Sequence, residues 1–87
     1  MDFQITENRI FAEAPDGTLL VELLFPSQGP DTVCFTRTFV DDSLRGQGVA
    51  GQLMEAAART LTAQGKKATA TCSYAVKWLE KHPELRA

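Results

Sequence analysis

Leu44-Arg45-Gly46-Gln47-Gly48-Val49-Ala50-Gly51 is the stretch whose reading decides the fold of this 87-residue chain. It lies between a β-like run ending at Val40 and a helix-like run beginning at about Gln47, so its glycines fall where a strand hands over to a helix N-terminus. The first amides of a helix have no partner inside it, and the helix dipole adds partial positive charge there. A phosphate or pyrophosphate can be held by backbone alone at such a turn if the side chains are small enough to admit it. Gly46, Gly48, Ala50 and Gly51 are that small.

Working downstream, Val49, Leu53, Ala57 and Leu61 recur every four residues, with Gln52, Glu55, Arg59 and Thr62 on another face, which predicts a helix from Gln47 to about Ala63. Glu55 and Arg59 suit an i,i+4 ion pair, and Gly65 suits a C-terminal cap. Lys67 to Thr71 reads as a strand. Ser73 to about Lys81 reads as a second helix stopped by Pro83.

Upstream, Phe3 to Thr6 and Arg9 to Glu13 suggest a hairpin around Glu7-Asn8, and Pro15-Asp16-Gly17 is a turn signal. Thr18 to Phe25, apolar at nearly every position, is expected to be a central strand buried on both faces. Pro26 to Asp31 reads as a loop, and Thr32 to Val40 as a fourth strand running into the polar connector Asp41-Asp42-Ser43. The sum is an α/β (α+β) domain: a mostly antiparallel five-stranded sheet with one βαβ crossover and two helices. One domain spanning 1–87 is expected at this length.

With 44% hydrophobic and 23% charged residues, the composition is that of an ordinary globular protein. There is no long apolar run and no leader pattern, so a cytoplasmic location without membrane contact is expected. A formal net charge of -2 argues against nucleic acid as partner. Cys34 and Cys72 show no metal-ligand spacing, so they are expected to be free thiols with no metal site.

Read literally, Gly46 to Gly51 matches GxGxxG, but the dinucleotide fingerprint needs an acidic residue about 20 positions on. None lies between Ala56 and Leu79. No Lys-Ser/Thr follows the glycines, which removes a Walker A loop. A tight turn whose glycines only permit close packing is the bland alternative; its difficulty is the entropy that so many glycines cost.

Leu44 to Ala50 resembles the Arg/Gln-x-x-Gly-x-Gly/Ala motif of GNAT N-acetyltransferases, with Arg45, Gly48 and Ala50 at the defining positions. Cys72-Ser73-Tyr74 and Lys81 to Leu85 resemble the closing segments of small stand-alone GNAT-like domains, while Arg37 stands where those domains often carry histidine. The resemblance implies a minimal GNAT fold and an acetyl-CoA-dependent N-acetyltransferase acting on an unidentified amine. It implies cofactor binding by Phe39, Val40, Arg45, Gly46, Gln47, Gly48, Val49, Ala50 and Gly51, with the pantetheine arm entering where the fourth and fifth strands splay. It puts Cys72 near the thioester, either as nucleophile or as pocket lining; a buried small hydrophobe is the plain alternative. Tyr74 would protonate the leaving thiolate or serve as an ordinary aromatic. Arg45 would reach the phosphates or stay a solvated loop arginine, and His82 reads more readily as structural than as a base. A non-catalytic CoA-binding or protein-interaction module with the same fold is the alternative from a different class.

Overall fold

The computed structural model describes residues 2–87. Its elements are β1 (Gln4–Ile5), β2 (Arg9–Glu13), β3 (Leu19–Leu24), β4 (Ser27–Gly29), β5 (Thr32–Phe35), β6 (Arg37–Val40), α1 (Val49–Gln64), β7 (Lys67–Ala70) and α2 (Ser73–Glu80). Two 3-10 turns, Asp42–Leu44 and Pro83–Leu85, complete it. The fold is the expected mixed α/β class, with more strand segments than the five anticipated because long runs are broken where they change partner.

The first two turns form as their residues dictate. Around Glu7-Asn8 the amide of Thr6 donates to Arg9 O at 2.8 Å, aligning Ile5 with Ile10 in an antiparallel pair. At Pro15-Asp16-Gly17, Gly17 takes φ 89°, which only glycine adopts without strain, and Asp16 Oδ1 accepts from the Thr18 amide at 3.0 Å. β2 and β3 then pair antiparallel, Ile10 opposite Leu23 and Ala12 opposite Val21.

β3 lies between β2 and β6, so it is central as expected, but it is not buried on both faces. Val21, Leu23 and Phe25 are fully buried, whereas Leu20, Glu22 and Leu24 alternate onto a half-exposed face. Glu22 gives the reason: a carboxylate at the strand's centre needs partners and water, and it finds Arg9 and Arg37 on the neighbouring strands.

Two further expectations are corrected. Part of the presumed 26–31 loop is β4, which folds back on β5 with Ser27 opposite Val33 and Gly29 opposite Thr32. The presumed single strand from Thr32 to Val40 is interrupted at Thr36. β5 runs parallel to β7, Thr32 opposite Lys67 and Phe35 opposite Ala70. β6 instead runs antiparallel to β3, Val40 opposite Val21 and Arg37 opposite Leu24. Two separate sheets result, ordered β1-β2-β3-β6 and β4-β5-β7.

α1 begins at Val49, two residues past the expected start, and buries Val49, Leu53, Met54, Ala57 and Leu61 against β3 and β6. Gly65 ends it in the left-handed region at φ 68°, while Lys66 N–H donates to Leu61 O at 2.9 Å, a Schellman-type stop. Among the described residues the ion pairs are Arg9–Glu22, Arg37–Glu22 and Arg45–Asp42, so Glu55 and Arg59 do not form theirs. α2 packs on β7, and the Arg86 backbone bridges to Ala68. Phe25 and Phe35 meet edge-on at 5.9 Å inside the core.

Candidate active site

The connector after β6 is fixed by its own polar side chains. Asp41 donates its amide to Leu20 O at 2.8 Å and accepts from Ser43 N at 3.1 Å and Ser43 Oγ at 2.6 Å. Arg45 closes the 3-10 turn through its amide on Asp42 O at 3.2 Å and its Nε on Asp42 Oδ1 at 2.9 Å. Gly46 at φ 78° and Gly48 at φ 71° then swing the backbone through the left-handed region into α1.

This route aims a run of amides outward. Among the described residues, the N–H groups of Gly46, Gln47, Gly48, Val49, Ala50 and Gly51 donate to no backbone or side-chain acceptor. At the start of a 16-residue helix, such amides carry partial positive charge of the kind that suits an anion. Gly46, Gly48, Val49 and Ala50 border a cavity of about 200 Å³ that Val40, Leu44 and Arg45 also line; Gln47 and Gly51, expected to share it, do not line it. A side chain at Gly51 would meet nothing within 4 Å, and its φ is not positive. Neither internal packing nor backbone geometry asks for glycine there.

The second half of the site forms where the two sheets part. Phe35 O accepts from both Thr71 N at 3.0 Å and Cys72 N at 3.3 Å, and beyond this point β6 has turned to β3. Among the described residues, no strand pairs with the outer edge of β6. Cys72 occupies the N-cap position of α2 without a side-chain capping bond, and its Sγ lies 3.5 Å from Thr38 Oγ1 on β6. Burial of the thiol pushes its pKa up, but the Thr38 hydroxyl and the amides of Ala75, Tyr74 and Thr38 outweigh it, so the net shift is downward from 9.0. Thr38 and Val40 share one face of β6, since side chains alternate along a strand. Thr38, beside the thiol, and Val40, at the loop cavity, therefore line up along one face of the strand.

The expected residues divide accordingly. Val40 and the Arg45 to Ala50 loop come together at the cavity, with Gln47 beside it, solvent-exposed and reaching back to Ser43 O at 3.5 Å. Phe39 points to the opposite face of β6, where the Arg37 guanidinium sits 5.2 Å from its ring centre. Arg45 is a solvated side chain, 77% exposed. Tyr74 is 41% exposed and lines a separate surface groove with Lys77, Trp78 and Lys81. Cys34 is a buried small hydrophobe. His82 stacks on Trp78 at 3.8 Å, with Nδ1 2.8 Å from Trp78 O, a structural arrangement. Neither Thr38 nor Leu44, the residue that opens the glycine stretch, is among the expected site residues. Nothing in the spacing pairs Thr38 with a residue so distant along the chain, and Leu44 passes for a core residue.

The profile of the GCN5-related N-acetyl-transferase family matches residues 9–87. Among solved structures, a GCN5-like protein from Staphylococcus aureus is 26% identical with a TM-score of 0.77, covering 97% of this chain and 82% of that one. Ard1 from Thermoplasma volcanium is 16% identical with a TM-score of 0.66, covering 87% of this chain and 54% of that one. An aminoglycoside acetyltransferase from an uncultured soil metagenomic sample, solved with sisomicin, is 15% identical with a TM-score of 0.57, covering 87% and 57%. The last two share the fold alone, and this chain spans little more than half their length. No curated protein matches the sequence.

Proposed function

The chain belongs to the GCN5-related N-acetyl-transferase family, and on that premise we propose that it is a single-domain, cytoplasmic enzyme that moves an acetyl group from acetyl-CoA to an amine. Acetyl-CoA is the general donor of this family. The observation that carries the proposal is the row of outward amides from Gly46 to Gly51 at the start of α1. A pyrophosphate fits such a row, and Arg45 can exchange its weak surface pair with Asp42 for the phosphates. The backbone edges of Phe39 and Val40 would carry the pantetheine arm along β6 toward Cys72.

Cys72 then stands as the acetyl acceptor. Its thiolate attacks the thioester carbonyl, the bond from that carbon to the CoA sulfur breaks, and CoA leaves with the electron pair and takes a proton from solvent, since the Tyr74 ring expected to supply it lines a separate groove. An amine next attacks the S-acetyl group, Cys72 departs as thiolate, and the amine's proton passes to solvent. Direct transfer within a ternary complex, with Cys72 lining the pocket, is the competing route.

A non-catalytic CoA-binding module is the second reading. One observation favours it: Glu22, the sole carboxylate on β3 and β6, is clamped between Arg9 and Arg37 and is not free to act as a base. Incubation with acetyl-CoA and a panel of amines, following CoA release, separates the two. Turnover that Cys72→Ala abolishes supports the enzyme; binding with no release over buffer supports the module.

A further inference from the structure

Thr38 and Cys72 meet only because β6 leaves the sheet that holds β7. Thr38 stands on the outermost strand of one sheet, and Cys72 follows the last residues of the other. Their Oγ1 and Sγ atoms are 3.5 Å apart across the opening. Thr38 Oγ1 has no other partner among the described residues, whereas the hydroxyls of Thr69 and Thr60 are committed elsewhere. Thr69 donates to Gln28 Oε1 at 2.6 Å, and Thr60 to Ala56 O at 3.0 Å in its own helix.

We propose that Thr38 is the positioning residue for Cys72, holding the sulfur at the meeting point of β6 and α2 so that it faces the arriving thioester. This rests on the reading of Cys72 as acetyl acceptor. A hydroxyl suits the task because it both donates and accepts. While the thiol is protonated its S–H donates to Thr38 Oγ1. Once the proton is gone the hydroxyl rotates and donates to the sulfur. One side chain thus keeps the sulfur in place, at the N-cap position of α2, through the ionisation that precedes attack. Valine has nearly the same shape and β-branching and lacks both capacities, so Thr38→Val removes the hydrogen bond while preserving the strand.

The test uses the whole chain and two readouts. Iodoacetamide alkylation of Cys72, quantified by peptide mass mapping across pH, reports the ionisation. Mass spectrometry after incubation with acetyl-CoA reports acetyl-Cys72. Thr38→Val is expected to move the alkylation midpoint up by about one pH unit and to slow acetylation at neutral pH about tenfold, the scale of one hydrogen bond to a charged group. Thr38→Ser is expected to restore both, and circular dichroism to show all three proteins folded. An unchanged alkylation profile in Thr38→Val overturns the role of Thr38 even if Cys72 is acetylated. A shifted profile with Cys72 never acetylated in the unmodified protein overturns the Cys72 nucleophile instead, and the catalytic role of Thr38 with it.

Discussion

The amide of Cys72 donates to the carbonyl of Phe35 at 3.3 Å, and one residue past Phe35 the chain has changed sheets, the amide of Thr36 donating to Leu24 O at 3.0 Å. Two successive residues facing opposite partners open the gap that holds Thr38, Val40 and Cys72. Backbone hydrogen bonding fixes this geometry, so the opening persists under most side-chain changes around it.

Gly51→Glu separates binding from folding. Its backbone is helical and the space beyond is open, so glutamate is tolerated, and it stands in the first turn where the dipole favours negative charge. Thermal unfolding is expected to show stability unchanged or raised by about 0.5–1 kcal/mol. Calorimetry is expected to show acetyl-CoA affinity lowered at least about tenfold by charge at the phosphate site. Gly48→Ala, in contrast, is expected to lose about 1–2 kcal/mol because its φ is 71°.

Glu22 makes stability acid-sensitive. Partial burial pushes its pKa up, but hydrogen bonds from Arg9 and Arg37 prevail and hold it below 4.5. A depressed carboxyl contributes fully above the unfolded value and loses that contribution as pH falls through the folded one. Tm is therefore expected to drop below about pH 4.5 in the unmodified protein and much less in Glu22→Gln. At neutral pH Glu22→Gln is expected to cost about 1 kcal/mol. Parallel Tm profiles for the two proteins would exclude this role.

Much of this was legible because local rules and tertiary structure agree. The four-residue recurrence of Val49, Leu53, Ala57 and Leu61 gave α1, and Gly65 gave its end. The glycine loop and the helix behind it follow from residues adjacent in sequence. The apolar character of Leu20 and Leu24 masked the alternation of β3, though Glu22 between them marked the exposed face. The break at Thr36 carries no turn residue, since it is imposed by the demand that one strand serve two sheets. The Thr38–Cys72 contact is a product of that break and was invisible for the same reason.

His82→Ala tests the structural assignment of the only histidine. Losing the stack on Trp78 and the bond to its carbonyl is expected to cost about 1 kcal/mol in denaturant unfolding. Acetyl transfer is expected to stay within about twofold of the unmodified protein, well under the loss that removing a general base brings. A loss of a hundredfold or more would make His82 part of the chemistry.

The pH dependence of Cys72 acetylation follows from its surroundings. Burial opposes ionisation, while the Thr38 hydroxyl and the amides of Ala75, Tyr74 and Thr38 favour it more strongly, leaving a thiol more acidic than 9.0. Acetylation monitored by mass spectrometry is expected to rise with pH and level off before pH 9, declining as pH falls through the folded value. A rate still climbing steeply beyond that point would mean the sulfur is not stabilised as the anion.

The claim on which everything else depends is that the amides from Gly46 to Gly51 hold the donor's phosphates. A 15N-1H NMR titration of the labelled chain with CoA observes those amides one by one. The largest shifts are expected at Gly46 to Gly51, with further shifts at Val40 and Cys72, saturating at one affinity. Shifts centred instead on Tyr74, Lys77 and Lys81, or none at millimolar CoA, would contradict the site.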